Sequence, residues 1–366
     1  MDAMKQQVGL CLPASHPVRN PRALMPRGRS EAGGWQIGSV SKAKPKFFPI
    51  FHRSSRDSRP QRGLNRGMDA TVTPILPLNA DAVVVTRPAR QTTPVVFASP
   101  HSGRRYTPGF LAASRLDPLG LRRSEDSFVD DLYAAAPDFG APLLAATFPR
   151  AWCDANREPW ELDPAMFADV LPHWVNATSP RVAAGLGTIA RIVASGEPIY
   201  RSKLSFADAE QRVNEYWQPY HDTMGALIGG TMALFGTCLL IDCHSMPSPG
   251  PATSGPPGRN AFKQADFVLG DAHGTACTPR VTRFVERTLT DLGFTVRRND
   301  PYAGGFITRH YGRPRDRIHV LQIEIARDLY MDEVRIERLP RFDAIRQDVT
   351  ALVEALAREA FSLTDY

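Results

Sequence analysis

The chain has 366 residues, is 43% hydrophobic and 22% charged, and carries a formal net charge of +6; these are values of an ordinary globular protein, long enough to bury a core without disulfides or metal as a folding support. Cys11, Cys153, Cys238, Cys243 and Cys277 are odd in number and form no CxxC pair, which excludes a disulfide scaffold and a cysteine zinc finger, and no apolar run nears the roughly 18 residues of a membrane span. Residues 1–67 hold 13 Lys/Arg against 3 Asp/Glu and the rest 31 against 35, so the basic character belongs to one end and a body of −4 gives no reason to expect nucleic acid as the partner.

Residues 1–67 show no sustained apolar period. Scattered Arg, Ser, Pro and Gly, as in RNPRALMPRGRSEAGG and FHRSSRDSRPQRG, read as a disordered basic tail. The stretch lacks the apolar core of a signal peptide, and its Arg-rich, acid-poor character only weakly matches a transit peptide. Met68 is an alternative start, and the expectation is that the tail is upstream sequence, with residues 68–366 a single domain.

From about residue 80 strands alternate with helical stretches. PVVFASPHS, TCLLIDCHS, ADFVLGDAHG and HVLQIEIAR read as strands. SEDSFVDDLYAAAP places Phe128, Leu132 and Tyr133 at helical spacing. SFADAEQRVNEYWQPYHDTMGALIGG opens with the capping pair Ser205 and Asp208 and should be kinked or interrupted at Pro219. RVTRFVERTLTDLG ends at Gly293, and DAIRQDVTALVEALAREAF is a long amphipathic helix. The alternation predicts an α/β fold with a mixed, mostly parallel central sheet flanked by helices.

In such sheets ligands gather at the carboxyl ends of strands. Three predicted strands end in groups able to bind metal or move protons: VVFASP runs into His101, LLID into Asp242 and His244, and LQIEI carries Glu324. Two imidazoles need a third ligand, usually a carboxylate. Glu125 and Asp126, predicted to open the helix after His101, are the nearest source, and only one of two adjacent residues can ligate. Alone, His101 would read as a half-buried, hydrogen-bonded histidine. Asp271 and His273 repeat the D-x-H spacing and are a rival metal site, a supporting pair or a capped turn. Asn156–Arg157 in DANREP is a carboxylate clamp or a surface loop. Arg309, His310 and Tyr311, beside the glycines of NDPYAGGFITRHYGRP, are candidate substrate contacts. Cys243, between Asp242 and His244, should face the core. No GxSxG, GxxxxGK[ST] or strand-following GxGxxG is present.

The segments SPHSGRRYTPGF, RRSEDSFVDDLY, DANREPWELDP, LLIDCHSMPS, DFVLGDAHG, NDPYAGGFITRHYG and LQIEIARDLYMDE, in this order, resemble the N-formylglutamate amidohydrolase (deformylase) family over about residues 80–360. That family is similar in fold and site order to zinc carboxypeptidases and to aspartoacylase and succinylglutamate desuccinylase amidohydrolases. The resemblance implies a zinc-carboxypeptidase-like fold, zinc or another divalent metal on His101 and His244, and Glu324 as general base. The carboxypeptidase pattern has its ligand glutamate three residues after the first histidine, where this chain has Arg104. The third ligand is therefore assigned to Asp126, with Glu125 as alternative. Asn156 and Arg157 would grip one carboxylate of a small dicarboxylate substrate, and Arg309, Arg104 or Arg105 would grip the second or steady the oxyanion. The implied reaction releases formate and L-glutamate, the last step of one histidine-degradation route, in a cytoplasmic enzyme with no nucleic-acid or membrane partner. The alternatives are a related metallo-amidohydrolase acting on another N-acyl amino acid or small peptide, and a non-catalytic binding protein on the same fold, which metal content would distinguish.

Overall fold

The computed structural model describes residues 82–248 and 265–365; the expected tail over residues 1–67 and the alternative start at Met68 lie outside them. The central sheet has seven strands: β1 (Val83–Thr86), β2 (Val95–Ser99), β3 (Leu143–Ala146), β4 (Cys238–Met246), β5 (Phe267–Gly270), β6 (Val296–Arg298) and β7 (Ile318–Ala326). Their order is β1-β3-β2-β4-β7-β5-β6. The β3-β2-β4-β7 block is parallel, as is β5-β6; β1 and β5 run antiparallel to their neighbours β3 and β7. The sheet is thus mixed and mostly parallel, and the chain is α/β.

The two central strands explain why the sheet forms here. CLLIDCHSM of β4 is buried at all nine positions, and IHVLQIEIA of β7 at all but its first. Strands covered on both faces read as near-continuous apolar runs, and the side-chain period of two then sorts them. Leu239, Ile241, Cys243, Leu321, Ile323 and Ile325 face one core. There they meet Val281, Val285 and Leu289 of the helix Pro279–Asp291, and Val349, Leu352, Val353 and Leu356 of the helix Phe342–Thr364. Leu240 and Val320 face the other core, with Tyr220, Met224, Leu227 and Ile228 of the helix Gln218–Phe235. Apolar residues three and four apart give each helix the face that covers the sheet. The residues that interrupt the apolar runs, Asp242, His244, Gln322 and Glu324, alternate onto the second face and lie toward the carboxyl ends of these parallel strands.

Two expectations change in detail. The stretch 124–137 is not one helix: a single turn, Val129–Leu132, follows Phe128 in left-handed backbone at φ 68°. Glu125 and Asp126 therefore sit in the preceding turn, where the Asp126 amide donates to the His101 carbonyl at 3.0 Å. The helix from Phe206 is interrupted before Pro219 by a π-helical stretch, Val213–Trp217. Proline cannot donate to the preceding turn and its ring crowds the carbonyl four residues back, and a wider turn accommodates this. Among the described residues no helix is long and apolar enough to cross a membrane.

Candidate active site

The carboxyl ends of β2, β4 and β7 open into a cleft of about 390 Å³. His101 follows β2, and His244 and Glu324 are register partners on β4 and β7. The imidazole centroids of His101 and His244 are 4.8 Å apart. Both Nδ1 atoms point at one oxygen, Asp126 Oδ2, at 3.4 Å from His101 and 3.0 Å from His244. All three residues are buried.

The opposite ring nitrogens are also held. His101 Nε2 lies 2.8 Å from Asp154 Oδ1, and His244 Nε2 lies 2.9 Å from Asp242 Oδ1. At His101 the hydrogen bond to Asp154 fixes the proton on Nε2 and leaves the Nδ1 lone pair as the ligand atom, the arrangement that usually supports metal-binding histidine. His101 Nδ1 is buried without a hydrogen-bond partner among the described residues, a costly state unless something occupies the space before it. Neighbouring ligands around a tetrahedral ion, with bonds of about 2.0–2.1 Å, stand about 3.4 Å apart, and the two Nδ1···Oδ2 separations are 3.4 and 3.0 Å. Two imidazole nitrogens and a carboxylate oxygen are the donor set of a divalent zinc-like site with a coordination position to spare. The residues fit the ion.

Asp126 is tightly positioned. Its second oxygen, Oδ1, accepts from Arg327 Nη2 at 3.0 Å and Ser245 Oγ at 3.1 Å. Burial would raise its carboxyl, but the two imidazoles beside it, His101 and His244, hold it well below the usual carboxylate range. Burial would likewise lower His244, but Asp242 and then Asp126 outweigh it and hold it well above its ordinary value. Asp154 is also depressed: burial opposes this, and Arg157 and Arg150 overcome it, with Arg150 Nε donating to its Oδ2 at 3.0 Å. Glu324 behaves oppositely. Burial raises its carboxyl to about 7, with His244 opposing and Asp126 adding to the rise, and its Oε1 accepts from Gln322 Nε2 at 2.8 Å. A buried carboxyl near neutrality beside a clustered donor set is suited to taking and returning a proton.

The Asn156–Arg157 loop is built into this cluster. Asp154 Oδ1 accepts from the Asn156 amide at 2.8 Å and closes a tight turn. The Asn156 side chain bridges elements rather than standing free: Oδ1 accepts from Ile307 N at 2.8 Å and Nδ2 donates to Asp242 Oδ2 at 3.5 Å, beside His244. Gly305 permits this approach, since a Cβ there would fall 2.4 Å from the Asn156 amide atoms. Arg157 is buried and donates from Nε to the Leu186 carbonyl and from Nη1 to the Asn156 carbonyl, at 2.9 and 2.7 Å. Behind the loop, Trp217 Nε1 donates to the Arg157 carbonyl at 3.0 Å, and His221 bridges the Ala155 carbonyl and the Tyr311 hydroxyl at 2.8 and 2.9 Å.

The structure thus brings together His101, Asp126, His244, Glu324, Asn156, Arg157 and Arg309, all on the cleft wall. It does not bring Glu125 to the histidines: that carboxylate accepts from Tyr106, Arg122 and Ser127. Arg104 is not among the lining residues; it is half-exposed and pairs with Asp130 and Asp131 at 3.2 and 3.5 Å. Arg105 lines a separate recess with Phe110, Trp152 and Tyr216. Asp271 accepts from Gly274, Asn299 and Thr282, so the second D-x-H is a capped turn with an exposed His273. Arg150, Arg181, Gln322 and Arg327 also line the cleft, and sequence reasoning missed them. Only Gln322 and Arg327 carried a signal, as polar residues at or just past the cleft end of the apolar β7 run.

Comparison with known proteins agrees with this geometry. The N-formylglutamate amidohydrolase family profile matches residues 93–331. The chain is 31% identical over 276 residues to the N-formylglutamate deformylase of Pseudomonas aeruginosa, covering 74% of this chain and 92% of that protein. It is 29% identical over 249 residues to that of Pseudomonas putida, covering 66% and 82%. The crystal structure of N-formylglutamate amidohydrolase from Ralstonia eutropha JMP134 superposes with a TM-score of 0.70 at 38% identity, over 76% of this chain and 98% of that one. The match spans β2 to the segment just beyond β7, and so includes every residue of the histidine–carboxylate cluster: the chain belongs to the N-formylglutamate amidohydrolase family.

Proposed function

We propose that the chain hydrolyses the formyl amide of N-formyl-L-glutamate to formate and L-glutamate, using a divalent cation, zinc foremost, held by His101 Nδ1, His244 Nδ1 and Asp126. The observation that carries this reading is the convergence of the two Nδ1 atoms on Asp126 Oδ2, with Glu324 beside His244 on the neighbouring strand. When bound, such a cation supplies Lewis acidity toward an amide oxygen and lowers the pKa of water to about 7.

The chain's own groups do the rest. Asp154 holds the His101 imidazole with Nδ1 turned inward, and Asp242 stands 2.9 Å from His244 Nε2. Glu324 takes a proton from water through the oxygen not engaged by Gln322. The water oxygen bonds to the formyl carbon, the carbon–nitrogen bond breaks, and Glu324 returns the proton to the leaving amine. Asn156 keeps the clamp loop against His244, and Arg157 presents positive charge toward the substrate's α-carboxylate. Arg309 lies farther along the wall for the second carboxylate, and a dianion suits a cleft lined by five arginines. The products are those of the last step of a histidine-degradation route, and the enzyme is proposed to act in the cytoplasm.

Purified protein should contain about one equivalent of divalent metal and release formate from N-formylglutamate. Metal without formate release, but with hydrolysis of another N-acyl amino acid, would move the reading to a related amidohydrolase. Protein that binds no metal would favour a binding protein on the same fold.

A further inference from the structure

Resting on that reading of the cleft, we propose that Arg181 and Arg309 together receive the side-chain carboxylate of the substrate and so set its preference for a diacid. Three of the five cleft-lining arginines are already committed. Arg150 pairs with Asp154 and Arg327 with Asp126, each at 3.0 Å. Arg157 spends donors on two backbone carbonyls and lies 3.7 Å from Asp154. Arg181 and Arg309 are different. Both are exposed, and neither guanidinium has a hydrogen-bonded or ion-paired partner among the described residues. Both line the cleft, and both also line an adjoining recess of about 300 Å³ that shares Asn156, Arg157 and Gly305 with it; the three arginines outnumber the two carboxylates there, Glu158, which accepts from Asn176 Nδ2 at 3.0 Å, and the buried Glu161.

The two come from well-separated segments. Arg181 sits on the short helix Pro180–Ala183, fixed by the Ser179 hydroxyl accepting from Val182 N at 3.1 Å and by the Leu186 amide donating to the Arg181 carbonyl at 2.8 Å. Arg309 sits on the helix Phe306–Tyr311, which Asn156 anchors through Ile307. Arg157 is held below its ordinary value by burial first, with the charges of Arg150 and Arg181 adding to the effect. Uncommitted guanidinium groups beside a third are an anion site, because each fork can present two N–H groups to one carboxylate. The metal cluster is the place of the formyl amide and Arg157 of the near carboxylate, so this rim is where the far one arrives.

The test compares kcat/KM for formate release from N-formylglutamate and from its uncharged isostere N-formylglutamine, in the wild type and in Arg181→Gln, Arg309→Gln and Arg181→Lys. In each Gln variant the ratio of the two values should fall at least about tenfold, the loss of a charge-assisted contact, mainly through KM for the diacid. Arg181→Lys should recover part of it. A ratio unchanged within about twofold in both Gln variants, with wild-type release of formate intact, overturns this assignment alone. No formate release by the wild type overturns both it and the function it rests on.

Discussion

His244 and Glu324 are paired across parallel β4 and β7, with Asp242 and Gln322 paired one pleat behind them. Four polar side chains on two buried strands thus share one face, and the pleat sends the intervening Cys243 and Ile323 into the opposite core. The proposed metal ligand and the proposed proton carrier are held at a spacing that neither side chain could change without moving the middle of the sheet.

Glu324→Gln should keep the metal and lose turnover by about 10²–10⁴-fold. Its carboxyl stands at about 7 in the fold, and the ionised form is the one that takes a proton. Activity should therefore rise with pH along an acid limb, and a bound cation, by favouring the carboxylate, draws that limb to or below about 7. The pH profile of kcat/KM for the wild type checks this; a limb lying well above 7 would count against Glu324 as the group observed.

Metal removal should abolish turnover, and zinc should restore it. His244→Ala and Asp126→Asn should lose metal and activity together. Asp154→Asn touches no proposed metal position yet holds His101 Nε2, and should weaken metal affinity by about 10–100-fold. Titration against a competing chelator measures this, and an unaltered affinity would remove Asp154 from that role.

Gly305→Ala should damage the site without disturbing the fold. The added methyl would meet the Asn156 amide at 2.4 Å, so Asn156 must leave either Ile307 or Asp242. Activity should fall while far-ultraviolet circular dichroism stays near wild type, with the thermal midpoint lowered by the lost buried hydrogen bond; a full-rate variant would show that the bridge is dispensable.

Two buried histidines away from the histidine–carboxylate cluster should make stability acid-sensitive. Burial lowers His221 to about 3 and His319 to about 4, from 6.5. Between those values and 6.5 the unfolded chain binds more protons, so stability rises with pH in this window. The contribution is complete above 6.5 and is lost as pH falls toward 4 and then 3. Each group contributes a slope of up to about 1.4 kcal/mol per pH unit. Urea unfolding at pH 5 and pH 7 should show a shallower dependence in His221→Gln, and an identical slope would place the acid sensitivity elsewhere.

Much of this was legible from particular residues. The apolar runs around Asp242, His244 and Glu324 announced buried parallel strands whose ends carry chemistry, because so few polar residues interrupt them. Asp126 was legible only through the family's motif order, since the choice over Glu125 depends on a turn that hands one carboxylate to the histidines and the other to Arg122 and Tyr106. Arg150 and Arg181 were not legible. An arginine in a loop looks alike whether it faces water or a cleft, and only the tertiary fold distinguishes them. Arg104 shows the converse: its nearness in sequence to His101 said nothing about direction, and local aspartates claimed it.

The wide turn Val213–Trp217 has a consequence for the clamp loop. Each residue added to or removed from a helix rotates everything downstream by about 100°. Trp217 and His221, which grip the Arg157 and Ala155 carbonyls, owe their heading to that local unwinding. Shortening the stretch by one residue would swing both rings off the loop while leaving the helix intact, so the bearing of Arg157 on the cleft wall is tuned by the winding of a helix that never enters the cleft.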